Sequence, residues 1–163
     1  MILIGLGGNL VGLGGEPPQV TLNLALSALP EKGITVLSKS RWFETQPVPI
    51  SDQPSFVNAV VSVVTSLSPE ALLETLHGIE ARFGRVRGER NAARTLDLDL
   101  LAYDGLISEA APILPHPRLH ERAFVLFPLR DVAPDWRHPR LRKSVEEMIA
   151  ALPPGQLVHP LSD

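Results

Sequence analysis

Apolar residues recur along the chain at the two spacings that distinguish strands from helices. Alternation, or runs of β-branched residues, predicts strands over 1–7, 34–43, 56–64 and 95–103. Spacing of three and four residues predicts helices over 17–29, 68–84, 121–131 and 144–152. The second helix has a clear start signal, because Ser68 suits the N-cap and Pro69 suits the first helical position.

The order of these elements indicates the fold class. The first six follow the order strand, helix, strand, strand, helix, strand, which is that of the ferredoxin-like split motif. We therefore expect an α+β fold with a ferredoxin-like βαββαβ core, in which helices pack on one side of an antiparallel sheet. The last two helices are expected to be extra C-terminal elements.

Composition narrows the class of protein. A chain of 163 residues, 44% apolar and 20% charged, is long enough to bury one core, and we expect a single domain over 1–163. It has no cysteine, which excludes a disulfide framework and a thiolate metal site, and we expect a cytoplasmic location. No apolar stretch approaches the ~20 residues that cross a bilayer. The net charge of −3 argues against a nucleic-acid partner.

Basic charge is concentrated in one segment. Twelve of the fifteen basic residues are arginine, and five of these lie between Arg82 and Arg94. The planar guanidinium group suits phosphate oxygens, so the cluster favours a polyanionic small ligand, with a solvated basic helix end as the alternative.

Glycines are frequent near the start of the chain, but they match neither common phosphate-binding loop. Leu10 stands where G-x-G-x-x-G needs its third glycine, and no Gly-Lys-Ser/Thr follows Gly12. These glycines either let the backbone pass close to a ligand or to another strand, or they form a simple turn.

Asp97 and Asp99 are the most informative polar residues. Because a strand alternates faces, both carboxylates should lie on one face and Leu98 on the other. Their Cα atoms should be ~6.5–7 Å apart, a spacing from which two carboxylates can converge on one or two divalent ions. Two aspartates on one strand face repel each other unless a cation lies between them. The pattern favours a magnesium and phosphate site; the alternative is a solvent-facing strand with Arg87 or Arg94 as ion-pair partners.

Four further residues carry signals that are weak when taken singly. Phe56 and Asn58 lie two apart in a predicted strand, so a flat ring and an amide share one face, which suits a heteroaromatic ligand. Such a pair is more often a core phenylalanine and a capping asparagine. His116 and Arg122 are unremarkable alone, since a single loop histidine is more often structural than catalytic.

Six short segments occur in order along the chain. They are G-G-N-L at 7–10, F-E-T-Q-P at 43–47, D-Q-P-S-F-V-N at 52–58, G-R-V-R at 84–87, R-T-L-D-L-D-L-L at 94–101 and P-H-P-R-L-H-E-R-A-F at 115–124. Together they resemble the 6-hydroxymethyl-7,8-dihydropterin pyrophosphokinase family. The resemblance implies a transfer of diphosphate from ATP to the hydroxymethyl group of that pterin, giving the pterin diphosphate and AMP, in folate biosynthesis.

The resemblance also implies roles for individual residues. Asp97 and Asp99 would be catalytic and would ligate two Mg²⁺ ions that bridge the ATP phosphates. Contacts to phosphate oxygens would come from Arg85 and Arg94, both catalytic, from His116 and Arg122, and from Arg87 and Arg90 in a loop that closes over ATP. The nucleotide side would be lined by His77, Glu80 and Leu100. The pterin would be held by Phe56 and Phe124 on its two faces, by Asn58 at its edge, and by the backbone near Thr45 and Val48.

ATP is thus the expected co-substrate and Mg²⁺ the expected cofactor, in a monomer or, alternatively, a dimer. The hydroxymethyl oxygen would attack the β-phosphorus in line while AMP leaves, and no side chain stands out as general base. Two alternatives belong to other classes. A ferredoxin-like RNA-binding module would need surface aromatics and a K/R-G-F/Y-G motif, which the chain lacks. A non-catalytic small-molecule-binding domain would not need paired aspartates beside five arginines.

Overall fold

The computed structural model describes residues 1–10, 14–46, 54–84 and 96–161. The strands are β1 Ile2–Gly8, β2 Ile34–Lys39, β3 Phe43–Thr45, β4 Phe56–Thr65, β5 Asp97–Tyr103 and β6 Val158–Pro160. The helices are α1 Pro18–Ala28, α2 Pro69–Arg82, α3 Ala123–Val132 and α4 Val145–Ala150, with 3₁₀ turns at Pro30–Lys32 and Leu119–Glu121. Each strand and helix predicted from periodicity has a counterpart, whereas periodicity does not predict β6.

The strands form one sheet in which all described pairs are antiparallel. The order is β5-β1-β4-β3-β6, and β2 also pairs with β4. β4 is long enough to serve both of its shorter neighbours, because residues 56–58 pair with β3 and residues 61–65 pair with β2. This order places β1 between β4 and the strand that carries the two aspartates, as a ferredoxin-like core requires.

The single strand predicted over 34–43 is wrong, because the chain leaves the sheet between β2 and β3. At the break the Ser40 N–H donates to the carbonyl oxygen of Val60 at 2.9 Å, and the Val60 N–H donates to Ser40 Oγ at 3.0 Å. A buried hydroxyl therefore takes the place of a backbone carbonyl as acceptor. This substitution keeps the buried backbone of β4 satisfied while one strand becomes two.

Two aliphatic layers cover the two faces of the sheet. The first lies under α1 and α2 and includes Ile4, Leu22, Leu76, Leu98 and Leu100. The second lies under α3 and α4 and includes Leu3, Val60, Leu101, Leu126 and Met148. The two helices of the predicted core, α1 and α2, pack on one side of the sheet as expected, and the extra C-terminal helices α3 and α4 cover the other side. The physical reason is that β1 is buried on both faces, so each face of the sheet needs a cover.

Side-chain caps define two of the helix starts. Ser68 Oγ accepts the N–H of Ala71 at 3.2 Å, as the sequence predicts for α2. In α4 the Glu147 N–H donates to Ser144 Oγ at 3.1 Å and the Ser144 N–H donates to Glu147 Oε1 at 3.0 Å. A cap of this kind contributes ~1 kcal/mol. None of the helices in the described ranges is both long and apolar enough to span a bilayer.

Candidate active site

Asp97 and Asp99 lie on one face of β5, as the alternation predicts. Both are half-buried, whereas Leu98 and Leu100 are buried in the layer beneath α1 and α2. In the register between β1 and β5, Asp97 is opposite Gly7 and Asp99 is opposite Gly5. Because the two opposing positions carry no side chain, β1 leaves the carboxylates accessible from its side.

Gly7 also faces Asn58 on the other side of β1. A Cβ atom placed on Gly7 would lie 2.5 Å from Nδ2 of Asn58, a separation that atoms in proteins do not tolerate. The glycine therefore makes room for the Asn58 amide. Of the two interpretations left open by the sequence, the close approach is correct for Gly7 and the simple turn is wrong, since β1 continues through Gly8.

A cavity of about 420 Å³ opens along β5 and gathers the predicted metal and nucleotide residues. Its lining includes both aspartates and all the described side chains predicted for the nucleotide side, namely His77, Glu80, Leu100, His116 and Arg122. Residues from α2, from β5 and from the segment before α3 thus meet around one space. The four arginines predicted to join them, Arg85, Arg87, Arg90 and Arg94, lie outside the described residues.

Sequence reasoning does not predict one wall of this cavity. Leu73 of α2 forms that wall with Pro112 and Ile113 from the loop that precedes His116. The loop is closed by a pair of backbone hydrogen bonds between Ser108 and Leu114, at 2.8 and 3.0 Å. Ile113 is 46% exposed, so the wall offers apolar surface to a ligand. The only signal in the sequence is a proline-rich composition, which marks a loop but not what the loop faces.

The ring of His116 is held in a defined orientation. Its backbone N–H donates to the Leu101 carbonyl oxygen at 2.8 Å, and its Nδ1 accepts the N–H of Arg118 at 3.2 Å. In the neutral ring the proton therefore lies on Nε2. Burial, aided by the charge of Arg122 and opposed by that of Asp97, lowers the pKa of His116 to about 4. At neutral pH this residue is an uncharged hydrogen-bond donor.

Arg122 connects the cavity to the aromatic ring of Phe124. The residue precedes α3, is half-buried and lines the cavity. Its guanidinium carbon lies 5.3 Å from the centroid of the Phe124 ring, within the range of a cation–π contact. The contact restrains a cation beside the two aspartates and the neutral histidine.

Glu80 has a second contact besides its place in the cavity wall. The residue is 2% exposed, and its Oε2 accepts the backbone N–H of Leu98 at 2.8 Å. Leu98 lies between the two aspartates. A residue expected only to line the nucleotide side is thus attached to the strand that carries the predicted metal ligands.

Three of the residues predicted for the pterin lie on two neighbouring strands, Thr45 on β3 and Phe56 and Asn58 on β4. Thr45 is opposite Phe56, and its Oγ1 donates to Oδ1 of the buried Asn58 at 2.8 Å. Thr45 and Phe124 both line a second cavity of about 700 Å³. Val48 lies outside the described residues. The hydrogen bond orients the Asn58 amide, and β3 brings Thr45 to a cavity that Phe124 also lines.

Asn9 is a buried polar residue that the sequence does not single out, although it belongs to the G-G-N-L segment. Its side chain is 2% exposed, and its Nδ2 donates to the carbonyl oxygen of Pro54 at 3.0 Å. The contact ties the end of β1 to the residues just before β4. A single polar residue after a strand gives no sequence signal for a contact with a segment this distant along the chain.

Comparison with known proteins points to one family. A family model described as 7,8-dihydro-6-hydroxymethylpterin-pyrophosphokinase (HPPK) matches residues 3–134. The 2-amino-4-hydroxy-6-hydroxymethyldihydropteridine pyrophosphokinase of Synechocystis sp. is 42% identical over 147 residues, covering 87% of this chain and 74% of that protein. The protein of the same name from Pseudomonas aeruginosa is 38% identical over 156 residues, covering 93% and 91%.

A solved structure supports the fold. The crystal structure of a Plasmodium falciparum HPPK-DHPS triple mutant matches 91% of this chain and 43% of that longer chain, with a TM-score of 0.69. Identity is 14%, so the likeness concerns the fold alone. It confirms the α+β architecture predicted from the order of strands and helices.

Proposed function

The chain belongs to the 7,8-dihydro-6-hydroxymethylpterin-pyrophosphokinase family, and we propose that it transfers the terminal diphosphate of ATP to the hydroxymethyl group of 6-hydroxymethyl-7,8-dihydropterin. The products would be the pterin diphosphate and AMP, in folate biosynthesis. The observation that carries the proposal is the 420 Å³ cavity in which two aspartates, a neutral histidine and an arginine line the same space.

Asp97 and Asp99 are the proposed ligands of two Mg²⁺ ions. Their carboxylate oxygens are the ligand type that Mg²⁺ prefers, and they share one strand face. Among the described residues, no group of three or more His, Cys, Asp or Glu side chains could hold a metal. Mg²⁺ commonly takes one or two carboxylates and completes its coordination with phosphate oxygens and water. A two-carboxylate site therefore fits ions that arrive with ATP and, when bound, neutralise phosphate charge.

The phosphate chain of ATP would be held by groups of different charge. Arg122 offers a guanidinium that can bind phosphate oxygens in two-point fashion, and His116 offers an uncharged Nε2–H donor. His77, Glu80 and Leu100 would line the nucleotide, and the apolar surface of Leu73 and Ile113 suits the adenine ring. Arg85, Arg87, Arg90 and Arg94 are proposed as further phosphate contacts, from a loop that closes over ATP and excludes water.

The pterin would stack between the rings of Phe56 and Phe124. Asn58 is proposed to hydrogen-bond its edge, supported by the Thr45 hydrogen bond that orients the amide. The backbone near Thr45 and Val48 would meet its other polar atoms. Flat rings with several donors and acceptors are recognised in this way, by stacking for affinity and by fixed polar groups for identity.

The chain's residues act by positioning and by charge. The hydroxymethyl oxygen forms its bond to the β-phosphorus as the bond from that phosphorus to the oxygen of the leaving AMP breaks, and the hydroxyl proton passes to solvent. Arg122 and His116 would donate hydrogen bonds to phosphate oxygens during the transfer. We assign no general base. Holding both reactants in line supplies much of the rate enhancement, since it removes the entropy cost of bringing them together.

AMP release tests the proposal directly. The protein is mixed with ATP, Mg²⁺ and 6-hydroxymethyl-7,8-dihydropterin, and AMP and the pterin diphosphate are quantified together. We expect equal amounts of both, and no AMP when the pterin or Mg²⁺ is omitted. Release of ADP in place of AMP, or no AMP above a control without protein, would contradict the proposal.

Location and assembly are separate proposals. We propose a cytoplasmic protein, supported by the absence of cysteine from all 163 residues. We also propose a monomer, with a dimer as the alternative. Sedimentation velocity at several protein concentrations tests this, and a stable dimer would contradict it.

A further inference from the structure

The carboxylate of Glu80 is buried against the strand that bears the two aspartates. It is 2% exposed, and its Oε2 accepts the Leu98 N–H at 2.8 Å. A carboxylate withdrawn from water needs polar partners, and a charge-assisted hydrogen bond to a backbone amide is one of the stronger ones. The contact is therefore an anchor between α2 and β5.

The position of Leu98 gives this anchor its importance. In the described sheet β5 is the last strand, and it pairs with β1. The Leu98 N–H donates to Glu80 of α2. Strands at a sheet edge are held on one side only and deviate more readily from regular geometry. Glu80 holds β5 from its second side, at the residue between Asp97 and Asp99.

The helix that supplies the anchor is itself well fixed. Leu76 and Ile79 are 0% and 1% exposed and pack in the same apolar layer as Leu98. Glu80 follows Ile79 directly, so its backbone is set by that packing. The hydrogen bond from Leu98 to Glu80 therefore connects the edge strand to a well-packed helix.

We propose that Glu80 is a positioning residue, which sets the relative placement of the Asp97 and Asp99 carboxylates by fixing the backbone of Leu98. The inference rests on the proposed function, in which these aspartates bind Mg²⁺ with ATP. It differs from a role in lining the nucleotide, because the effect passes through a backbone amide. Groups that orient metal ligands without touching the metal commonly affect metal affinity by about 10–100-fold.

Three substitutions separate the hydrogen bond from the charge and from packing. Glu80→Gln keeps an acceptor oxygen and removes the charge. Glu80→Leu keeps most of the volume and removes the acceptor, and Glu80→Ala removes both. Glu74 lies on the same helix and is exposed, so Glu74→Gln and Glu74→Ala are matched controls.

The first measurement is amide hydrogen exchange at Leu98, followed by NMR in the protein without ATP or Mg²⁺. We expect exchange at least about tenfold faster in Glu80→Leu and Glu80→Ala, because the amide loses its acceptor. Glu80→Gln and both Glu74 variants should remain close to the unsubstituted protein. Unchanged exchange in Glu80→Leu would overturn the anchor.

The second measurement is the Mg²⁺ concentration that gives half-maximal AMP release at saturating ATP and pterin. We expect an increase of about tenfold or more in Glu80→Leu, and a return to within about threefold in Glu80→Gln. A purely structural role would lower the melting temperature and the active fraction without moving this midpoint. An unmoved midpoint, or a Glu80→Gln variant as impaired as Glu80→Leu, would overturn the positioning role.

The two measurements also separate this inference from the proposed function. If the unsubstituted protein releases no AMP, the proposed function fails, while the exchange at Leu98 still tests the anchor. If it releases AMP normally but the Glu80 variants leave the midpoint unmoved, the positioning role fails alone. Should Glu80→Ala not fold, Glu80→Leu carries both measurements.

Discussion

Gly7 and Asn58 lie directly opposite each other on neighbouring strands, and the Asn58 amide occupies the space that a side chain on Gly7 would fill. A Cβ on Gly7 would come within 2.5 Å of Asn58 Nδ2. Since Asp97 faces Gly7 from the other side, the glycine separates the predicted pterin contact from the predicted metal ligand.

Gly7→Ala should therefore displace the Asn58 amide. We expect the KM for the pterin to rise about tenfold, which is the change in affinity that the loss of one hydrogen bond produces, and the KM for ATP to change little. Stability should fall by ~1–3 kcal/mol through overpacking. Steady-state kinetics and urea unfolding provide the measurements. Gly78→Ala is the control, because a Cβ at this exposed helical position would meet no atom within 4 Å apart from its chain neighbours and the backbone of its own helix, and it should gain ~0.5–1 kcal/mol. An unchanged pterin KM in Gly7→Ala would contradict the interpretation.

Thr45→Val removes the donor that orients Asn58. The Thr45 hydroxyl donates to Asn58 Oδ1 at 2.8 Å, and both side chains are buried. We expect a loss of ~1–3 kcal/mol in the free energy of unfolding, since a buried acceptor is left without its partner. The pterin KM should rise while the ATP KM stays constant. Thr35→Val, at an exposed position of β2, should change neither quantity. Equal rises in both KM values would indicate a general disturbance of the fold.

Asp97→Asn and Asp99→Asn should each lower kcat by more than about 100-fold. Losing a metal ligand has a larger effect than losing a group that only orients a ligand, which commonly costs about 10–100-fold. AMP release measures the loss, and urea unfolding in EDTA checks that both variants remain folded. Asp135→Asn, at an exposed position, is the control. Near-normal turnover in both variants would make the aspartates structural.

His138 should make stability depend on pH. It is 4% exposed, and its Nδ1 accepts the N–H groups of Arg140 and Leu141 at 3.2 and 3.1 Å. Burial, then the charges of His120 and Arg140, lowers its pKa to about 4. Between pH 6.5 and about 4, His138 is protonated in the unfolded chain but neutral in the folded protein. Its contribution to the free energy of unfolding is therefore complete above pH 6.5 and is lost as the pH falls toward 4.

The difference between variants isolates this contribution from that of His116. On going from pH 7.5 to pH 5, the unsubstituted protein should lose about 2 kcal/mol more stability than His138→Asn. Urea unfolding at both pH values gives the comparison. His159→Asn, at an exposed position of β6, should follow the unsubstituted protein. Parallel pH profiles for the protein and His138→Asn would exclude the proposed titration.

Local patterns predicted a large part of the molecule. Periodicity predicted the order of the core strands and helices, Ser68 predicted a cap, and alternation placed Asp97 and Asp99 on one face. The fold class and the pyrophosphokinase family predicted from the motifs are confirmed. The proposed contacts of Val48, Arg85, Arg87, Arg90 and Arg94 lie outside the described residues and stay predictions.

Contacts between distant segments were decided only by the tertiary structure. The sequence by itself determined which residues alternate, where helices begin and which motifs the chain carries, because these depend on neighbours within a few residues. It did not determine that Ser40 replaces a backbone acceptor, that α3 and α4 cover the second face, or that Glu80 is bonded to Leu98. Nor did it determine that Gly7 makes room for Asn58, 51 residues away along the chain. Each of these contacts joins elements that are far apart along the chain. A local pattern does not encode how such elements pack against each other.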